Sequence, residues 1–190
     1  MKPQLLPILT AFTLVCSLSN PAHALPGESV QTVKNRVTNN SALSPLDRGI
    51  AELSGLPFYT SQGKLPDGGI VFSMSPDRQD QRSQQETIAF ETSKSFAGFT
   101  RQNLKLIQQM FGGSIAEDFR RSSYVARVDY VHIENRFYRG KKFAYTTTEF
   151  KQSNDGRKFY HFTVLPLKDL NGEIRADQQC RQQSENGCGD

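Results

Sequence analysis

Hydrophobic and polar positions change period several times along the chain, and each change predicts an element. In ESVQTVKNRVT, from Glu28 to Thr38, Val30, Val33 and Val37 recur at helical spacing, so a short amphipathic helix opens the fold. Asn39, Asn40 and Ser41 end it. Ser44-Pro45 reads as a helix cap and a proline first turn, with Leu46, Ile50 and Leu53 on one face and Gly55 as the stop. The same stretch also suits entry into a sheet. LPFYTSQ and GIVFSMS then predict two strands separated by KLPDGG, whose Pro, Asp and Gly supply turn chemistry. The polar run from Pro76 to Gln85 must cross the surface before ETIAFETS makes a third strand.

Between Thr100 and Phe111, the residues Leu104, Ile107, Met110 and Phe111 form one helix face, which Gly112-Gly113 terminates. Ser114 stands three positions before Glu117, a capping-box spacing, so a second short helix is expected to carry Ile115 and Phe119 to the core. Beyond Arg121 the pattern alternates. Tyr124, Ala126, Val128 and Tyr130 share one side of a strand, and His132 and Glu134 share a strand face further on.

The C-terminal hairpin has two candidate registers. A two-residue Asp155-Gly156 turn sets Glu149 opposite Phe162 and Lys151 opposite Tyr160, mixing charge into the core face. A three-residue Asn154-Asp155-Gly156 loop sets Phe150 opposite Tyr160, Thr148 opposite Phe162 and Thr146 opposite Val164, one coherent and mostly apolar face. The second register is the one expected. Its other face pairs Glu149 with His161, Thr147 with Thr163 and Tyr145 with Leu165.

The expected fold class is therefore α+β: an antiparallel sheet of about five to seven strands with one main helix, Thr100 to Phe111, and short helices packed on it. Either the N-terminal helix covers the second sheet face through its valines, or that face stays partly open for binding.

The start of the chain changes the picture of where this domain works. MKPQLLPILTAFTLVCSLSNPAHA places Lys2 before an apolar run from Leu5 to Leu18 and ends in Ala22-His23-Ala24, the small-x-small pattern of a signal-peptidase site. Cleavage is expected after Ala24, giving a periplasmic or extracellular protein. Residues 25–170 then form a single α+β domain, and residues 171–190 a polar tail. Cys16 leaves with the leader, so Cys180 and Cys188 remain, and an even count in an exported chain favours a disulfide that staples the tail. Two thiolates eight positions apart supply half a zinc shell, and catalytic dithiols sit two apart, so neither a metal nor a redox site is expected.

Loss of Lys2 leaves 22 basic against 19 acidic residues, a mild net charge of +3. This suits an anionic polymer, a glycan or an envelope protein as partner, without demanding one. Between Tyr124 and Phe162 aromatics interleave with basic residues, the composition of a surface that stacks rings and holds anions. Arg127, Arg139, Lys141, Lys142, Tyr145, Phe159 and His161 are its candidate binding residues. Nucleophile-elbow, zinc-helix and phosphate-loop motifs are absent, and no catalytic residue or cofactor is assigned. The sequence thus points to an exported binding or accessory module. Alternatives are a small secreted hydrolase using a Glu149–His161 pair, or a structural subunit. Asn39-Asn40-Ser41 also fits the glycosylation triplet, which matters only in a glycosylating host.

Overall fold

The computed structural model describes residues 25–52, 54–65, 68–92, 101–150 and 158–183. Helix α1 (Val30–Thr38) is capped by Ser29, whose hydroxyl accepts from the Thr32 amide at 3.1 Å. Four strands follow: β1 (Asp47–Ile50), β2 (Pro57–Leu65), β3 (Gly68–Pro76) and β4 (Ser83–Thr92). Helices α2 (Arg101–Phe111) and α3 (Gly113–Arg120) lead to β5 (Ser123–Asp129), β6 (Ile133–Arg139), β7 (Phe143–Phe150) and β8 (Lys158–Pro166). A short 3-10 turn at Leu167–Asp169 leads into α4 (Leu170–Gln183).

All eight described strands form one antiparallel sheet in the order β1-β2-β3-β4-β8-β7-β6-β5. The first half is one helix, α1, followed by a four-strand meander, the second is two helices, α2 and α3, followed by another, and the halves meet where β4 pairs with β8. The α+β class is as expected, with eight strands in place of five to seven. The additional one is β1, in the stretch first read as a helix. Gly49 weakens that helix, and any Cβ there would strike the Phe58 ring, so the segment lies flat as an edge strand instead.

One sheet face carries the main core. Val30, Val33 and Val37 of α1, Ile107, Met110 and Phe111 of α2, and Ile115 and Phe119 of α3 pack on Phe72, Ile88, Tyr138, Tyr145, Tyr160 and Phe162. Phe119 is the hub, with ring centroids 4.9 Å from Phe162, 5.2 Å from Tyr145 and 5.4 Å from Tyr138. The N-terminal helix therefore lies on the same face as α2. The opposite face is covered at its β5–β7 end by α4, where Val128, Tyr130, Phe137, Ala144 and Leu165 surround Leu170. Residues 171–183, expected as part of a polar tail, are helical.

Three local readings also change. A bulge between Tyr124 and Ala126 turns Tyr124 toward Tyr138 on the main-core face while Ala126 and Val128 stay on the other, so these residues do not share a side. His132 lies in the tight turn closed by the Tyr130 amide on the Ile133 carbonyl at 2.8 Å, and shares no strand face with Glu134. Helix α3 begins after Gly112 at φ 91°, a backbone angle that suits glycine, and Ser114 makes no cap. Glu117 accepts instead from Arg120 at 2.6 Å and Arg121 at 2.5 Å.

The hairpin register also differs from the expected one. Tyr145 faces Val164, Thr147 faces Phe162 and Glu149 faces Tyr160, one position away from the pairing inferred above. Glu149 and His161 consequently project from opposite faces of the sheet. Glu149 is held by Lys158 at 2.6 Å, and His161 stands opposite Thr148. The apolar pattern does not choose the register here because helices cover both faces of this hairpin.

Two charged groups tie helices to the sheet. Arg36 of α1 donates to Glu86 of β4 at 2.7 Å and to the Met110 carbonyl at 2.9 Å, with its guanidinium over the Phe72 and Phe111 rings. Glu86 is fully buried and also accepts from Ser83 at 2.9 Å. Burial pushes its carboxyl up, against the pull of Arg36. In α3, the Asp118 carboxylate accepts from the amides of Lys141, Lys142 and Phe143 at 2.9, 3.2 and 3.3 Å and from the Tyr145 hydroxyl at 2.7 Å.

Asp118→Ala is expected to cost about 3 kcal/mol, because it strips four partners from one carboxylate and leaves the Tyr145 hydroxyl buried without an acceptor. Urea unfolding measures this, and a loss under about 1 kcal/mol would show that the turn closes without Asp118. Glu28 has its carboxyl raised from 4.5, first by burial and then by the negative charge of Glu86. Such a group favours the fold when protonated, below its unfolded pKa, and that contribution is lost as pH rises through the folded pKa. Glu28→Gln should therefore raise the melting temperature at pH 7 and leave it nearly unchanged at pH 4; equal effects at both pH values would refute the charge argument.

Candidate functional site

The face opposite the main core is built from alternate residues of each strand. On β8 these are Phe159, His161, Thr163 and Leu165, and on β7 Ala144, Thr146, Thr148 and Phe150. Tertiary context explains what each does. Leu165 and Ala144 are buried under the start of α4. Thr163 meets Thr87 of β4, with hydroxyls 2.9 Å apart. The His161 ring stands edge-on to Phe150 with centroids 4.7 Å apart.

Helix α4 crosses this face. Leu170 is buried, and Asp177 accepts from the Tyr130 hydroxyl at 2.5 Å and from the Asn135 amide at 2.9 Å. Between the helix and the strands β4, β8, β7 and β6 lies a cleft of about 520 Å³, which Asp177 and Asn135 also line. Its floor is Thr87, Thr163, Thr146, Thr148 and His161, and its helical wall is Glu173, Ala176 and Asp177. The Asn135 side-chain oxygen at its edge is buried and has no hydrogen-bond partner among the described residues. A larger groove of about 970 Å³ runs between α2 and α3, but Gln102, Lys105, Gln108, Glu117 and Arg120 line it with long, solvated side chains. The floor of the cleft instead carries short polar groups that stand on paired strands.

The electrostatics of the cleft are distinctive. Burial lowers the His161 pKa from 6.5, so the imidazole is neutral at pH 7. The Glu173 carboxyl is raised, first by burial and then by the negative charges of Asp169 and Asp177. What the walls offer is hydroxyl groups, a neutral imidazole, amides and carboxylates. This is chemistry for holding hydrogen-bonding groups that donate as well as accept.

The candidate residues read from sequence do not form one surface. Phe159 and His161 are neighbours on the cleft face, and Phe159 is 46% exposed. Tyr145 lies on the other side of the sheet, fully buried and bonded to Asp118. Arg127 also projects from that other side, paired with Asp129 and with Glu134 at 2.8 Å. Arg139, Lys141 and Lys142 are at the β6–β7 turn, the end of the sheet away from Phe150 and Phe159. Cys180 lines the cleft on α4, while Cys188 and its pairing lie outside the described residues. Sequence reasoning missed Glu173 and Asp177 because α4 has only Leu170 and Ile174 as regularly spaced apolar residues. The available signal was composition: from Glu173 to Gln183 the run holds no Gly or Pro and is rich in helix formers.

Among the described residues no group of three or more His, Cys, Asp or Glu is placed to hold a metal ion, and no helix is long and apolar enough to cross a membrane. Fold and site together define an α+β protein whose single sheet forms a cleft with one covering helix. No protein-family model, curated protein or solved structure matches the chain.

A group whose folded pKa is depressed contributes stability that is present above its unfolded pKa and lost as pH falls through the folded value. For His161 this means weaker folding on acidification below about pH 6.5. An NMR titration should return a pKa below 6.5, and a value above it would mean that the imidazole is solvated or charge-paired.

Proposed function

We propose that the chain is an exported binding or accessory module that holds a ligand in the cleft beneath α4. Export is supported by the leader pattern through Ala24 and by the even cysteine count that remains after it. The mature protein then works in a bacterial periplasm or outside the cell, with Cys180, near the end of α4, joined to Cys188 as a staple.

The observation that carries the binding reading is the cleft itself. Its volume is in the range of small-molecule sites, and its polar groups converge from four strands and a helix. Exposed Phe159 beside it adds a ring face for contact. The basic side chains do not reach this place, so an anionic polymer is not the ligand favoured here. A hydrolase built on Glu149 and His161 is set aside, because the two groups face opposite sides of the sheet.

Native mass spectrometry of protein recovered from an exporting host tests the proposal. The expected mass begins at Leu25, rises by two hydrogens on reduction, and carries a retained ligand that Ala176→Phe, which fills the cleft, abolishes. A full-length mass removes the export reading, and ligand retained unchanged by Ala176→Phe removes the cleft.

A further inference from the structure

The register places one kind of side chain across five neighbouring strands. Thr60 of β2 faces Ser73 of β3, Ser73 faces Thr87 of β4, Thr87 faces Thr163 of β8, and Thr163 faces Thr146 of β7. These directly opposed pairs form a row of hydroxyl side chains perpendicular to the strands, on the same face as the cleft. At the usual strand spacing of about 4.8 Å the row is roughly 19 Å long. Its Thr163–Thr146 end lies on the floor of the cleft, while its Thr60–Ser73 end lies beyond the residues that line it.

The adjoining row on that face runs Gln62, Val71, Ala89, His161, Thr148 and Asn135. Neither row contains Lys, Arg, Asp or Glu. With His161 neutral, the two rows are uncharged between Asp47 of β1, which stands opposite Thr60, and Glu173 and Asp177 at the cleft wall, and Glu91 stands opposite Phe159 in the next row.

We propose that this track binds a chain of neutral sugars, with one end of the chain seated in the cleft; the inference rests on the cleft being a binding site. Three features select that chemistry. Each Thr or Ser hydroxyl donates and accepts, as each sugar hydroxyl does, so the two match without charge. A pyranose unit is close in length to one strand spacing, so successive units meet successive hydroxyls. Exposed Phe159, on the same face, presents a ring to the C–H side of a sugar. An anionic chain finds no cation in the two rows and two carboxylates at the cleft. A cationic one finds no charge partner within the two rows; carboxylates stand only around them, at Asp47, Glu91, Glu173 and Asp177, and Asp177 already accepts from Tyr130 and Asn135. A peptide adding to the sheet needs an edge strand, and this is a face.

The test is an NMR titration of the protein purified from an exporting host, with Thr methyls and backbone amides labelled. The probes are chitobiose, cellobiose, their hexasaccharides, dextran sulfate and spermine. The expected result is that a disaccharide perturbs His161, Thr148 and Thr146, and that its hexasaccharide binds more tightly and also perturbs Thr87, Ser73 and Thr60. Thr60→Val with Ser73→Ala should weaken the hexasaccharide about tenfold and leave the disaccharide and the melting temperature unchanged.

A hexasaccharide that binds no better than its disaccharide overturns the track and leaves the cleft standing. Perturbation of the cleft residues by dextran sulfate or spermine, without any by sugars, overturns the sugar assignment alone. No perturbation on this face by any probe overturns the sugar proposal; the cleft reading then stands or falls on whether the Ala176→Phe comparison shows a retained ligand.

Discussion

The antiparallel pairing of β4 with β8 joins two meanders, and everything on either face follows from its parity. Ile88 opposite Phe162 and Phe90 opposite Tyr160 commit one side of both strands to α1, α2 and α3. Thr87 opposite Thr163 and Ala89 opposite His161 are thereby committed to the other. A slip of one position would set Thr87 opposite Phe162 or Val164, turning one strand's hydroxyls toward Phe111 and Phe119 and its large side chains toward α4. The cost of stranding hydroxyls under an apolar layer, together with the lost aromatic packing, makes the observed register the stable one. Because the outer strands pair in sequence from this junction, the hydroxyl row and the cleft floor inherit their position from the core rather than from any local preference.

Charge reinforces the same junction. Glu86 sits on the core side of β4, where an unpaired carboxylate would be costly, and Arg36 reaches it from α1 while also capping the Met110 carbonyl near the end of α2. A buried pair of this kind adds little net stability over an apolar substitute. What it adds is position: only one placement of α1 satisfies Glu86, Met110 and the Phe72 and Phe111 rings together. Asp118 does the corresponding work in the second half, fixing α3 to the β6–β7 turn. A Cβ at Gly140 would run into this carboxylate and the Tyr145 ring, so that turn needs a glycine.

The sequence made the elements with a strong internal period legible. Helices α1 and α2 were read from Val30-Val33-Val37 and Leu104-Ile107-Phe111, because one face of each is buried and the other is not, and β3 and β4 from apolar runs set off by the KLPDGG turn and the polar stretch Pro76 to Gln85. Where both faces are buried, alternation carries little information. Tyr145 and Phe159 are both strand aromatics, yet one is wholly enclosed under α3 and the other lies half in solvent. The hairpin register failed for the same reason. Helix α4 was missed because its attachment depends on polar contacts, Asp177 to Tyr130 and Asn135, which have no periodic signature. With α4 unseen, the cleft and its carboxylates could not be placed, although His161 and Phe159 on its floor and rim were singled out.

That the cleft exists at all follows from the size of the side chains on its two walls. Protein interiors normally close to near-crystalline density, and a helix laid on a sheet does so through large residues at the contact. Here the helix presents Ala176, Cys180 and two carboxylates, and the middle of the sheet presents threonines and one imidazole, with Phe137, Leu165, Gln85 and Asn135 at the margins. The short side chains at the centre leave the gap open, and Leu170 and Asp177 fix where α4 lies over it. Larger apolar residues at Ala176 and Thr163 would bury more surface and stabilise the fold. The chain keeps short hydrogen-bonding groups there instead, in register with a row of hydroxyls that extends beyond the helix, which is the arrangement expected where the space is kept for a ligand.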